Sequence, residues 1–174
     1  MVFKDFEKQG ATHVGEPQMR LVFWAGFWTF LMDQLSKYLV VHTLELRQLG
    51  EIDVLPPILN FRMAWNYGVN FGLLSQDSPI TRWALIGVAL VISVAVLWWV
   101  NRDDGGHWQK IAAGLLVGGA MGNVVDRLLY GGVADFINMS CCGLNNPYAF
   151  NVADIAIFAG AIGLVIFSSD KKPA

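Results

Sequence analysis

Between Gly118 and Asp154 the sequence sets ionisable and amide side chains among residues suited to lipid. Asn123, Asp126 and Arg127 close the run Gly118-Gly119-Ala120-Met121-Gly122-Asn123-Val124-Val125-Asp126-Arg127. Asp135 stands in Val133-Ala134-Asp135-Phe136, and Asn151 and Asp154 in Phe150-Asn151-Val152-Ala153-Asp154. A charge in hydrocarbon costs several kcal/mol, roughly 2.5–3.5 at a helix centre. Packing alone has no use for it, so the cluster is expected to do chemistry or to move ions. Two carboxylates that share a site cannot both ionise easily; one pKa rises, leaving one acid and one base near neutral pH. Such a pair can activate water against a peptide carbonyl and protonate the leaving amine with no covalent intermediate. No serine or cysteine with a paired histidine competes for the role of nucleophile.

The elements that must position these groups belong to a membrane protein. The chain of 174 residues is 55% hydrophobic and 15% charged, whereas soluble domains carry about 25% charged residues. The length suits one compact domain. No basic stripe exists to bind nucleic acid. Cys141 and Cys142 are adjacent, a strained arrangement for a disulfide, and no metal-type Cys/His spacing is present; a structural or incidental role is expected for them.

Residues 1–19 read as a polar, solvated tail, and residues 20–170 as a single integral-membrane domain. Leu21 to His42 is an apolar run, interrupted by Asp33-Gln34, Ser36-Lys37 and His42, long enough to span a bilayer. Charges inside it argue for a retained helix and against a cleaved signal peptide. Over 43–79, Glu45, Arg47, Glu51, Asp53 and Pro56-Pro57 end the helix. From Leu59 the pattern alternates, with Leu59, Phe61, Met63 and Trp65 on one side and Asn60, Arg62, Ala64 and Asn66 on the other, which predicts a strand. Further helices are expected at about 81–100, 110–130 and 150–168, with 133–149 a loop. Gly114, Gly118 and Gly122 form a stripe that lets another helix approach closely. The expected fold is therefore membrane α-helical: four spans, with a small β-type element outside the hydrocarbon.

Four spans put both termini on one side. Lys4, Lys8, Arg20, Arg102, Lys110, Lys171 and Lys172 lie on that side, against Arg47, Arg62 and Arg82 on the other. The excess of positive charge predicts cytoplasmic termini. At 1.5 Å per residue, Asp33, Lys37, Asn123, Asp126, Arg127, Asn151 and Asp154 then all fall near the outer boundary, and Asp135 just beyond the Gly131-Gly132 break. Tolerated polar residues scattered at random would not share one depth. His13 and His107 are cytoplasmic and only His42 is outer, so a histidine-rich metal site is not expected, although carboxylates alone could hold a hard cation weakly.

Each piece also has a plainer reading. Asp33 and Lys37, at i and i+4, suit a buried salt bridge that fixes the first helix. Asp126 and Arg127 could neutralise one another in support of the site. Asn151 and Asp154 could simply cap the last helix. Asp135 has no neighbouring cation in sequence and is the least explained by structure. On these grounds the choice between Asp126 and Asp135 as partner of Asp154 stays open.

With these motifs in place the chain resembles the bacterial lipoprotein signal peptidase family, signal peptidase II. The resemblance spans most of residues 30–157. Besides the three motifs above, it rests on Asp33-Gln34-Leu35-Ser36-Lys37 and Asn66-Tyr67-Gly68-Val69-Asn70-Phe71-Gly72. It implies a monomeric aspartyl endopeptidase of the bacterial inner membrane, active at the periplasmic face. Its substrates would be diacylglyceryl-modified prolipoproteins, cut on the amino side of the lipidated cysteine, with membrane lipid as surroundings. No cofactor and no metal are implied. Carried over residue by residue, the catalytic pair is Asp135 and Asp154. Asn123, Asp126, Arg127 and Asn151 shape and polarise the site, Asn66 and Gly68 meet the substrate, and Asp33 and Lys37 brace the scaffold. Ala134 stands where Val is common. Without the motifs, a proton-coupled transporter using the same carboxylates as a relay is the rival; the acids lie at one face instead of crossing the membrane.

Overall fold

The computed structural model describes residues 16–68, 79–103, 105–140 and 146–168. Residues 1–15, Val69-Asn70-Phe71-Gly72, Cys141-Cys142 and the C-terminal lysines, for which the sequence raises expectations, lie outside them.

Helix α1 (Glu16–Lys37) runs without a break into a π-helical stretch, Tyr38–Thr43. A single-turn helix, α2 (Leu46–Leu49), follows Glu45, whose φ is 53°. Strands β1 (Glu51–Leu55) and β2 (Leu59–Asn66) form an antiparallel pair. Then come α3 (Pro79–Arg102), α4 (His107–Tyr130), β3 (Val133–Met139) and α5 (Val152–Phe167). The sheet order is β1-β2-β3, with β2 central and all pairs antiparallel.

Helix α4 is the axis of the bundle, and α1, α3 and α5 all pack on it. The glycine stripe explains the closeness on one side. Gly114 and Gly118 lie against Gly26 of α1, and a Cβ at Gly114 would sit 2.6 Å from the Val22 carbonyl oxygen. The apolar core between helices joins Val22, Val100, Ala112, Ala113, Leu116 and Leu164. A second cluster of Val40, Leu46 and Phe136, with Ile52, Phe61 and Met63 packed on it, fastens the sheet to the π-helical stretch and α2. Phe61 meets Phe136 edge-on at 5.6 Å.

Helices α3 and α4 are long and apolar enough to cross a membrane, and α5 is a shorter apolar helix. Large apolar side chains face outward on α1 (Phe23, Trp24, Trp28), α3 (Trp83, Val91, Val94, Trp98) and α5 (Phe158, Val165). A surface so apolar suits lipid and not water.

The structure differs from the sequence expectation at two elements, and inside the expected β-type element of 43–79 it adds a strand. The first helix begins inside the expected polar tail, at Glu16. The acidic stretch 51–55 is an edge strand, mostly exposed, whose Glu51 side chain accepts from Asn60 of β2. Residues 133–139, expected as loop, are β3. Its first four residues are buried on both faces, so no apolar-polar alternation marks it as a strand. β2 does match the alternating stretch, but its pairing with β3 slips between Phe61 and Ala64, so the two faces exchange along its length.

Candidate active site

Two chain reversals carry the aspartates inward. Helix α4 ends at Gly131, whose φ of +84° is left-handed and whose N–H donates to the Arg127 carbonyl at 3.1 Å. Glycine takes this conformation without the strain a side chain would add. The chain then enters β3, where Asp135 sits opposite Ala64 of β2. The second reversal is the start of α5. Asn151 caps it: its Oδ1 accepts from the Asp154 N–H at 2.9 Å, and Asp154 Oδ2 accepts from the Asn151 N–H at 3.3 Å. Phe150 and Ile137 exchange backbone hydrogen bonds of 3.0 and 2.8 Å, which tie the cap of α5 directly to β3.

Asn151, fully buried, then links the two carboxylates. Its Nδ2 donates to Asp135 Oδ1 at 2.6 Å and to Asn123 Oδ1 at 3.3 Å. Asn123 Nδ2 donates to Asp154 Oδ1 at 2.9 Å. Asp135 Oδ2 accepts from Asn66 Nδ2 at 3.1 Å. The buried Gly68 fixes that amide, because its N–H donates to Asn66 Oδ1 at 3.2 Å. Asp135 is only 2% exposed. Burial, reinforced by the charge of Asp154, pushes its carboxyl up to about 7, against the opposing pull of Asn66, Asn151 and Lys37. Asp154 is half-buried in the first turn of α5, where the helix dipole favours a negative charge.

A second layer holds these two aspartates from behind. Lys37 Nζ lies 2.7 Å from Asp33 Oδ2, 2.8 Å from Asp126 Oδ2 and 3.3 Å from Asn123 Oδ1. Asp33 Oδ1 accepts from the Ala153 N–H at 2.9 Å, and Asp126 Oδ2 from the Ala134 N–H at 3.3 Å. Gly122 makes room for Asp33, since a Cβ there would lie 2.5 Å from Asp33 Oδ2.

The expected Asp33–Lys37 bridge is present, and all ten candidate residues converge on this network or border it. One expectation is corrected: Asp126 pairs with Lys37 and not with Arg127. Successive residues on a helix point about 100° apart, so Asp126 turns to α1. Arg127 donates instead to the Asn123 carbonyl through Nη1 at 3.3 Å, and its buried Nε has no hydrogen-bond partner among the described residues. Asn151 and Asp154 do cap α5, but the same Asn151 amide also holds Asp135, so capping and site assembly are one arrangement.

Gln34 is a member of the network that sequence reasoning missed. Its Nε2 donates to Asp126 Oδ1 at 3.0 Å and Asp33 Oδ2 at 3.1 Å. The signal was an amide beside Asp33 in an apolar run. A cavity of about 240 Å³ borders this layer at Gln34, Lys37 and Asp126, with Tyr38, His42 and Trp65 among its walls; Asp135 and Asp154 do not line it.

Comparison with known proteins decides the family. The family model described as "Signal peptidase (SPase) II" matches residues 26–169. The chain belongs to the signal peptidase II family. Two relatives, each named "Lipoprotein signal peptidase", carry the same assignment. That of Alteromonas mediterranea is 41% identical, over 86% of this chain and 82% of its own. That of Methylorubrum extorquens is 38% identical, over 83% of both. A solved bacterial membrane enzyme, determined by the in meso method at 2.3 Å resolution, superposes with a TM-score of 0.73 at 28% identity, over 88% of this chain and 92% of that one. The matched span of the signal peptidase II family contains every residue of the network above.

Proposed function

We propose that this chain is a membrane aspartic endopeptidase that removes the signal peptide from diacylglyceryl-modified prolipoproteins, cutting on the amino side of the lipidated cysteine. The family and the names of its relatives support the substrate class. The observation that carries the mechanism is the Asn151 bridge between a buried Asp135 and a half-buried Asp154.

Asp135 is the acid. Burial and the charge of Asp154 raise its carboxyl to about 7, so near neutral pH a large share of it holds the proton. Asp154 is the base. It takes a proton from water as the water oxygen attacks the scissile carbonyl, while Asp135 gives its proton to the carbonyl oxygen. The tetrahedral intermediate collapses when Asp154 passes its proton to the leaving nitrogen and Asp135 recovers one from the hydroxyl. The C–N bond breaks, the cycle closes on the starting protonation state, and no covalent enzyme intermediate forms. Arg127, whose charge acts on both Asp135 and Asp154, polarises the site, and Asn66 and Gly68 meet the substrate backbone.

In this reading α1, α3, α4 and α5 all span the inner membrane, the protein is a monomer, both termini are cytoplasmic, and the sheet lies at the periplasmic surface. That placement suits a scissile bond held beside a lipid anchor. The test is cleavage of a prolipoprotein with and without diacylglyceryl on its cysteine, by purified protein in detergent. The modified form is cut at the cysteine and the unmodified form is not. Equal cutting of both would overturn the substrate assignment, and no cutting of either would return the carboxylates to a transport role.

A further inference from the structure

Two carboxylates outside the dyad bear the same relation to it. Asp126 accepts from the N–H of Ala134, the residue just before Asp135. Asp33 accepts from the N–H of Ala153, the residue just before Asp154. One atom, Lys37 Nζ, touches both carboxylates, at 2.7 and 2.8 Å. All three side chains are buried. We propose that Lys37 is a positioning residue: through Asp33 and Asp126 it fixes the backbone of both dyad aspartates to a single point, and so sets the distance between acid and base. This rests on the Asp135/Asp154 reading above.

A salt bridge that only braced α1 would need Asp33 alone, at i and i+4. The second carboxylate and the two backbone amides are what the plainer reading leaves over. They matter because β3 and α5 are separate elements whose side chains must meet to within a fraction of an ångström; a 1 Å misplacement costs about 100-fold in rate. A compact ammonium suits the task, since it can sit close to two carboxylates at one atom, which a planar guanidinium cannot do in the same space.

The experiment compares wild type, Asp135→Asn, Lys37→Arg and Lys37→Ala on the diacylglyceryl substrate, with folding checked by monodisperse elution and thermal melting. Lys37→Arg keeps the buried charge and is expected to fold. Its kcat is expected to fall about 100-fold with KM unchanged. The alkaline limb of its kcat–pH profile is expected to move, because the spacing of Asp135 from Asp154 changes. The other groups around Asp135 (Asn66 of β2, Asn151, Lys37 and, on α4, Asp126 and Arg127) keep their identities or charge in this variant. For Lys37→Ala, n-propylammonium replaces the deleted atoms, with entry through the cavity that Lys37 and Asp126 line. It is expected to restore kcat, while n-propanol, of similar size but uncharged, does not. A folded Lys37→Arg with wild-type kcat and profile overturns the proposal, as does equal rescue by propanol. If wild type fails to cut, or Asp135→Asn cuts normally, the dyad reading fails and the positioning role falls with it; wild-type behaviour in the Lys37 variants alone overturns only the positioning role.

Discussion

The side-chain amide of Asn151 donates to Asp135 Oδ1 at 2.6 Å while its carbonyl accepts from the Asp154 N–H at 2.9 Å. One buried residue thus caps α5 and holds the dyad together. Asn151→Ala removes both roles. The cap is worth about 1 kcal/mol, and each buried partner left unpaired costs about 1–3 kcal/mol more, so melting in detergent should fall by several degrees. Turnover should fall about 100-fold or more, as misplacement of a reacting group does. A variant that melts lower yet keeps wild-type kcat would show that Asn151 is only a cap.

Asp135 titrates near 7, above its unfolded value of about 3.9. Its contribution to stability is present in full below the unfolded value and is lost as pH rises through 7. Asp135→Asn carries no such charge. The melting temperature of the variant relative to wild type should therefore climb from pH 4 to pH 7 and level off above. A constant difference across that range would contradict the burial argument.

The same proton governs rate. If Asp135 is the acid, kcat/KM, which reports the free enzyme, should decline as pH rises through about 7. The check is a profile of kcat/KM, at substrate well below KM, in one detergent across pH 5 to 9. A rate that rises steadily over this span would reverse the acid-base assignment or place the acid elsewhere.

Gly122 and Gly87 provide a matched pair of substitutions. A Cβ at Gly122 would meet Asp33 Oδ2, whereas one at Gly87 on α3 meets nothing within 4 Å. Gly122→Ala should cost about 1–3 kcal/mol of stability and most of the activity. Gly87→Ala should be neutral or slightly stabilising, because alanine is the better helix former. Thermal melts and turnover of both variants decide it; equal tolerance at the two positions would mean that α1 and α4 pack more loosely around Asp33.

The mechanism moves only protons among side chains. Cleavage should persist after prolonged dialysis against EDTA. Activity lost to chelator and restored by a divalent cation would require a metal in the site.

Much of this arrangement was legible in the sequence because it is written in local pattern. The apolar runs and Gly131-Gly132 mark α3, α4 and the end of α4, and the alternation from Leu59 marks β2. The spacing of Asp33 and Lys37 gives their bridge. What stayed hidden depends on contacts between distant segments. β3 is buried on both faces at its start, so it lacks the period of two. Asp126 and Arg127 are neighbours in sequence, which suggests a pair, but the helix turns them apart and Lys37 of α1 takes Asp126. Gln34 stands beside Asp33 in the chain, yet only the approach of α4 at Gly122 shows what its amide holds.

The most direct test of the dyad is turnover of the diacylglyceryl prolipoprotein by Asp135→Asn, Asp154→Asn and Asp126→Asn, each shown to be folded. Asp135→Asn and Asp154→Asn should abolish cleavage. Asp126→Asn should retain a measurable rate, since its oxygen can still accept from Ala134. Normal cleavage by Asp135→Asn, with none by Asp126→Asn, would contradict the account and move the acid to α4.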